Sequence, residues 1–160
     1  MRGKTCCFSG HRRLPPERRE AIAAATEAAV RTLIAEGFCY FGVGGAVGFD
    51  TLAAETVLRL REDFPQIRLI AVLPCADQAV YWSAEDRFVW ERIRERADKV
   101  VCLRERYTPD CMKERDRHLV DHSDVCVCYL TQYGGGTGYT VSYAVRRGLR
   151  VVNVAEEPCF

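Results

Sequence analysis

The chain has 160 residues, which is the usual size of one domain and is enough to build a full hydrophobic core. Its 23 lysines and arginines nearly balance its 22 aspartates and glutamates, so no strong overall field draws it to nucleic acid or to a membrane. The sequence predicts a single domain over residues 1–160. Because no long apolar stretch follows Met1, we expect a cytoplasmic protein that does not enter the membrane.

Apolar, β-branched runs alternate along the chain with amphipathic segments, which is the pattern of repeated βα units. Six strands are predicted, at Lys4–Ser9, Cys39–Val43, Arg68–Leu73, Lys99–Leu103, Val125–Leu130 and Arg150–Val154. Helices are predicted between them, at Pro16–Gly37, from the turn at Asp50 to Arg61, at Ser83–Ala97, at Cys111–His122 and between Gly134 and Val145. The fold class is therefore α/β, a doubly wound parallel sheet with helices on both faces.

The first strand ends in the loop Ser9-Gly10-His11-Arg12. In doubly wound sheets, ligands bind beyond the carboxyl ends of the strands. Arg12 can hold a phosphate with two hydrogen bonds, and His11 can transfer protons near neutral pH. An ordinary solvated loop is the alternative, but two glycine-rich turns are expected at the same edge of the sheet, which favours a binding site.

The second strand leads into a turn that contains Gly44, Gly45 and Gly48. These glycines do not have the G-x-G-x-x-G spacing of a dinucleotide site, yet they let backbone N–H groups approach an anion at the start of a helix. Asp50 follows at once, where it either contacts the ligand or caps the helix, with Thr51 as the other candidate cap.

The fifth strand leads into a second glycine turn, Gly134, Gly135, Gly136 and Thr137, with Thr140 one helical turn later. No Gly-Lys-Ser or Gly-Lys-Thr triplet is present, so the turn is not a P-loop. It is expected to hold a phosphate or a ribose. Valine at Gly45 or at Gly135 is expected to block the ligand and leave the fold intact.

Arg115 lies on the predicted fourth helix and is a further candidate ligand contact, unless it pairs with Asp110 or Asp121. His118 and His122 have the i, i+4 spacing of a metal site, but exposed helical histidines are much commoner than ligands. The cysteines in apolar runs, Cys102 among them, are expected to be buried and reduced. No metal and no cofactor are predicted.

Five segments together carry a resemblance to a known family: CCFSGHR, GGAVGFDTLAAE, LIAVLPCADQAVYWSAEDR, CMKERDRHLVDHSD and GGGTGYTVSYA. They resemble the YpsA/DUF1273 family of the SLOG superfamily, which also contains the LOG phosphoribohydrolases and the DNA-uptake protein DprA. The resemblance runs from about Lys4 to Ala155. It implies a Rossmann-like sheet of order 4-3-2-1-5-6 that binds nucleotides through its glycine loops.

LOG enzymes carry a Pro-Gly-Gly-x-Gly-Thr loop that is followed closely by a catalytic glutamate. Here Tyr133 stands near the place of the proline, and the place of the glutamate falls around Tyr139 and Thr140. This departure argues against LOG-type hydrolysis.

Three functions follow as hypotheses. The first is a sensor or regulatory module that binds a nucleotide or a nucleotide-derived small molecule. The second is an N-glycosidase or nucleotide-processing enzyme in which the catalytic residue Asp50 stabilises positive charge at an anomeric carbon. The third is DprA-like binding of single-stranded DNA, which the balanced charge makes an unexpected partner. A protein partner and a homo-oligomer are left open.

Overall fold

The computed structural model describes residues 4–80 and 82–155. Residues 1–3, Tyr81 and residues 156–160 of the predicted domain lie outside the described residues. The six strands are β1 (Thr5–Gly10), β2 (Tyr40–Val43), β3 (Arg68–Leu73), β4 (Lys99–Cys102), β5 (Val125–Tyr129) and β6 (Arg150–Asn153). The five α-helices are α1 (Arg19–Ala35), α2 (Phe49–Asp63), α3 (Ala84–Arg96), α4 (Cys111–Asp121) and α5 (Gly136–Arg146), and a short 3-10 turn (Pro16–Arg18) precedes α1.

The strands form one parallel sheet in the order β4-β3-β2-β1-β5-β6, as predicted. Both faces of the central strands are covered, so these strands are apolar at successive positions. In β1, Cys6 and Phe8 pack on the face that α1, α2 and α3 cover, whereas Cys7 packs on the α4 and α5 face. The order places β1 between β2 and β5, and the chain therefore diverges to opposite sides of the sheet at the carboxyl end of β1.

Local signals explain most helix ends. Gly37, just beyond α1, has a φ of 96°, which only glycine adopts without strain. The start of α2 differs from the prediction, because Gly48 and not Asp50 or Thr51 occupies the N-cap position. Asp50 and Thr51 lie in the first helical turn, and both side chains hydrogen-bond back to the main chain of Ala46.

Burial differs from the prediction at one edge of the sheet. Cys102 is exposed, because β4 is an edge strand that neighbouring helices cover incompletely. The other cysteines of the apolar runs are buried, apart from the half-buried Cys39. No helix within residues 4–80 and 82–155 has both the length and the apolar character needed to cross a membrane.

Candidate functional site

A cleft of about 250 Å³ opens beyond the carboxyl ends of β1 and β5. Its walls come from the loop after β1, the loop after β2, one face of α4, and the turn that leads into α5. The lining residues are Ser9, Gly10, His11, Arg12, Ala46, Met112, Arg115, Asp116, Gly134, Gly135, Gly136 and Thr137. A larger groove of about 340 Å³ lies between α2 and α3, but only side chains of those two helices line it. The strand-end cleft therefore remains the candidate site.

The structure brings nine of the predicted site residues together in this cleft: Ser9, Gly10, His11, Arg12, Arg115, Gly134, Gly135, Gly136 and Thr137. Five others do not line it: Gly44, Gly45, Gly48, Asp50 and Thr140. Thr140 lies inside α5, where its hydroxyl donates to the carbonyl of Gly136 at 3.0 Å.

The turn before α5 is open to the cleft. A Cβ atom added at Gly134, Gly135 or Gly136 would meet no atom within 4 Å. Gly135 is the N-cap of α5, with a φ of 93° and no side chain capping the helix. The first intrahelical bond runs from Tyr139 N–H to Gly135, and no hydrogen bond among the described residues engages the N–H groups of residues 136–138. These donors and the positive end of the helix dipole form a site suited to an anion.

The turn before α2 is closed, although the two turns look alike in sequence. A Cβ at Gly44 would lie 2.6 Å from the Arg115 guanidinium, and one at Gly48 would overlap the main chain of Arg12. The N–H of Ala46 donates to the Asp50 carboxylate, and that of Phe49 donates to the carbonyl of His11 at 3.1 Å. The polar groups and the space that an anion needs are already occupied here.

Gly45 shows the same closure. Its φ is 73°, and a Cβ there would come within 2.7 Å of the buried Trp90 ring. The expectation that valine at this position leaves the fold intact is therefore wrong, since the side chain would collide with the core.

Asp50, the predicted catalytic residue, lies behind the wall of the cleft. It is 6% exposed, and its carboxylate accepts the Ala46 N–H at 3.2 Å. Burial raises the pKa of Asp50 from 3.8 to about 6, against the attraction of the Arg115 guanidinium and the hydrogen bond from Ala46. The carboxyl group thus changes charge just below neutral pH, and its hydrogen-bonded neighbour Ala46 separates it from the cleft.

Arg115 crosses from α4 to the turn before α2. It is 6% exposed, its Nε donates to the Asp116 carboxylate at 2.7 Å, and its Nη1 donates to the carbonyl of Gly44. Of the predicted alternative partners, Asp110 pairs with Arg117 at 3.0 Å and Asp121 pairs with Arg147 at 3.2 Å. A buried guanidinium with two fixed partners holds the α4 wall of the cleft at a set distance from the sheet.

His11 joins the two sides of the cleft. Its Nε2 accepts the N–H of Thr131 at 2.9 Å and that of Gln132 at 3.4 Å, and its ring packs edge-on against Tyr129. Burial lowers the pKa of His11 below 6.5. Because Nε2 accepts, the ring is neutral and carries its proton on Nδ1.

Sequence reasoning missed three lining residues: Ala46, Met112 and Asp116. On α4, Arg115 and Asp116 follow Met112 by three and four positions, so this side of the helix supplies all three. Helical spacing from Arg115 was a signal for Met112, one turn earlier, whereas the adjacent Asp116 had no such signal. The local pattern around Ala46 contains no such signal.

Comparisons with known proteins agree with this architecture. The family model described as YspA SLOG family, YpsA, matches residues 15–150. A UPF0398 protein of Bacillus pumilus is 26% identical over an alignment of 153 residues that covers 87% of this chain and 82% of that protein. A UPF0398 protein of Halalkalibacterium halodurans is 30% identical over 129 residues, 79% of this chain and 68% of that one.

The fold is also found among solved structures. An example is DNA processing protein A from Helicobacter pylori, which was studied for its mode of binding single-stranded DNA. It superposes with a TM-score of 0.64 at 17% identity and covers 92% of this chain. This chain spans 63% of the length of that structure. The likeness concerns the fold alone.

Proposed function

The chain belongs to the YspA SLOG family, and we propose that it binds a nucleotide or a nucleotide-derived small molecule in the strand-end cleft, as a sensor or regulatory module. The N–H groups at the start of α5 carry this proposal, because no group of the described residues accepts them and the space beside Gly134, Gly135 and Gly136 is open. Arg12, which is exposed on the opposite loop, adds a cation that can grip the same anion.

The cleft suits a sugar phosphate better than a long ligand. Its volume of about 250 Å³ is below the roughly 300–1,000 Å³ of pockets that hold drug-sized molecules. Asp116 lines the cleft, and its carboxylate is held in place by Arg115. A carboxylate opposite an anion site can accept hydrogen bonds from the hydroxyls of a ribose while the glycine turn holds the phosphate.

The proton chemistry of the cleft favours binding over turnover. His11 already uses Nε2 to accept two N–H groups, Asp116 is paired with a guanidinium, and Asp50 lies behind the wall. A general base must be able to take a proton from the reacting group. Hydrolysis of an N-glycosidic bond is therefore the second choice, with Asp50 as its catalytic candidate.

The test is thermal unfolding against AMP, ADP-ribose, NAD and cyclic dinucleotides, with free base measured in the same samples. A ligand at about a hundred times its dissociation constant adds roughly 2.7 kcal/mol, which moves the Tm by several degrees. We expect Gly136→Ala to remain folded and to lose this shift, since its methyl group enters the open turn. Ser142→Ala, on the exposed part of the same helix, is the matched control.

Each result has a defined meaning. A ligand-induced shift without base release supports a sensor, whereas base release that disappears in Asp50→Asn would favour the enzyme. If no nucleotide shifts the wild-type Tm, or if Gly136→Ala keeps the full shift, the proposed site is wrong.

Single-stranded DNA binding is a second candidate, which the fold shared with DNA processing protein A favours. Arg12 and Arg13 are exposed beside the cleft, and the Tyr133 ring is 79% exposed next to the glycine turn. Cations and an exposed ring suit a backbone and a stacked base. Fluorescence anisotropy with labelled oligo-dT at two salt concentrations tests it, and salt-sensitive binding that Arg12→Ala weakens would support it.

A further inference from the structure

His11 is placed to control the shape of the glycine turn before α5. Thr131 and Gln132, which donate to its Nε2, are the first residues of the segment that leads to Gly134. The main chain of His11 also accepts the N–H of Phe49 at the start of α2. One residue therefore ties the open turn to the closed one.

We propose that His11 is a positioning residue whose neutral ring fixes the anion-binding turn, so that its protonation weakens anion binding although it adds a positive charge. When Nε2 is protonated it becomes a donor, so it can no longer accept the N–H groups of Thr131 and Gln132. The segment from Thr131 would then lose its anchor. This inference rests on the proposed function for its ligand, but the anchoring itself involves residues of the chain alone.

The charged groups near His11 allow the direction in which acid changes the anion affinity to distinguish the proposed mechanism from a simple charge effect. The charged groups that line the same cleft as His11 are Arg12 on its own loop and Arg115 and Asp116 on α4, and the ring of Tyr129 on β5 packs against its imidazole. Asp50 also takes up a proton near pH 6, which removes a negative charge. On electrostatic grounds alone, acid would strengthen the binding of an anion through both groups. Weaker binding in acid therefore has the opposite sign to the simple charge effect.

Inorganic sulfate is the probe, because its charge is constant between pH 5 and 7.5 whereas a phosphate monoester titrates near pH 6. Binding is followed by NMR through the amide signals of Gly134, Gly135 and Gly136. We expect the sulfate affinity of the wild type to fall roughly fivefold from pH 7.5 to pH 5, about the value of one lost hydrogen bond.

Three variants identify the group responsible. The amide oxygen of glutamine can accept an N–H as Nε2 does but takes up no proton in this range, so the sulfate affinity of His11→Gln should not fall between pH 7.5 and pH 5. His122→Gln, on the exposed end of α4, should behave as the wild type. Asp50→Asn should leave the acid-induced fall in place or make it steeper.

The inference is overturned if the wild type binds sulfate more tightly in acid, or if His11→Gln weakens in acid as much as the wild type. If a variant fails to fold or sulfate does not bind, NMR of the wild type without ligand still tests the role of His11. Ring ¹⁵N shifts of the wild type should show the Nδ1–H tautomer, and the protection factor of the Thr131 amide, which corrects the exchange rate for its intrinsic pH dependence, should fall as His11 is protonated. Another tautomer, or an exchange profile that ignores this protonation, overturns the role of His11. Absent sulfate binding with these signatures intact would instead count against the proposed function.

Discussion

Replacing Asp50 with asparagine should make the protein more stable at neutral and alkaline pH. The buried carboxyl has a pKa of about 6 in the folded chain, compared with 3.8 for an unburied aspartate. The unfolded chain therefore releases this proton first as the pH rises. Between pH 3.8 and 6 the folded state holds more protons, so the free energy of unfolding falls with rising pH across this window and is level above about pH 7.

The magnitude follows from the same shift. About two pKa units at 1.36 kcal/mol each give roughly 3 kcal/mol, the cost of keeping Asp50 ionised in the fold at pH 8. Asparagine does not titrate, and its side-chain oxygen can still accept the Ala46 N–H. We expect Asp50→Asn to match the wild type near pH 4 and to gain up to ~3 kcal/mol at pH 8. For a chain of this length the gain corresponds to a Tm increase of roughly 6–12 °C.

Urea unfolding of both proteins at half-unit pH steps from 4 to 8 measures this difference, and the other titrating groups cancel in it. Glu55→Gln, which removes an exposed carboxyl from the same helix, is the control and should show no pH-dependent gain. A difference between Asp50→Asn and the wild type that stays constant with pH would refute the reasoning. A variant that is less stable at pH 8 would show that Arg115 and Arg12 more than offset the burial of the charge.

Three further predictions concern the walls of the cleft. Gly48→Ala should lower the Tm by several degrees because its methyl group would overlap the main chain of Arg12, whereas Gly134→Ala should leave the Tm unchanged; scanning fluorimetry compares them. Arg115→Met should lower the free energy of unfolding in urea by roughly 3–5 kcal/mol, because it leaves the Asp116 carboxylate and the Gly44 carbonyl without their partner. Arg104→Met, the control, breaks an exposed pair with Glu114 and should change this free energy little. Equal losses would contradict the burial argument. The wild type should lose stability relative to His11→Gln as the pH falls below 6.5, since the lowered pKa of His11 means that the unfolded chain binds the proton first; parallel pH profiles would rule this out.

The six strands were predictable because the apolar runs are short and β-branched and all but the last are followed by an amphipathic segment, whereas their order was an expectation from the family resemblance. The position of the site followed from that order, since the loops after β1 and β5 must meet where the chain diverges. The different roles of the two glycine turns were not predictable. Trp90 and Arg115 close the first turn, and they lie 45 and 71 residues further along the chain than Gly45 and Gly44. No local pattern reveals such distant neighbours.

The same limit applies to the charged residues of the site. Asp50 follows a glycine turn and looks accessible in sequence, yet the Ala46 loop folds over it. Asp116 is one of several charged residues in the middle of α4, so its place in the cleft became visible only with the fold. Patterns of apolar residues locate a sheet well, but they do not tell which polar residues face its edge.

The pairing of β1 with β5 also sets when the cleft can form during synthesis. His11 and Thr131 are 120 residues apart, and β1 pairs with β5 over five residue pairs. While a ribosome makes the chain, β1 can pair with β2 early, but its other edge stays open until β5 has been translated. A nascent chain that ends before about residue 140 would lack α5 and hence the N–H groups that are proposed to hold an anion. Pairing between strands that lie so far apart in sequence slows folding. A ligand would bind, and thereby stabilise, only those chains in which β1 and β5 have paired.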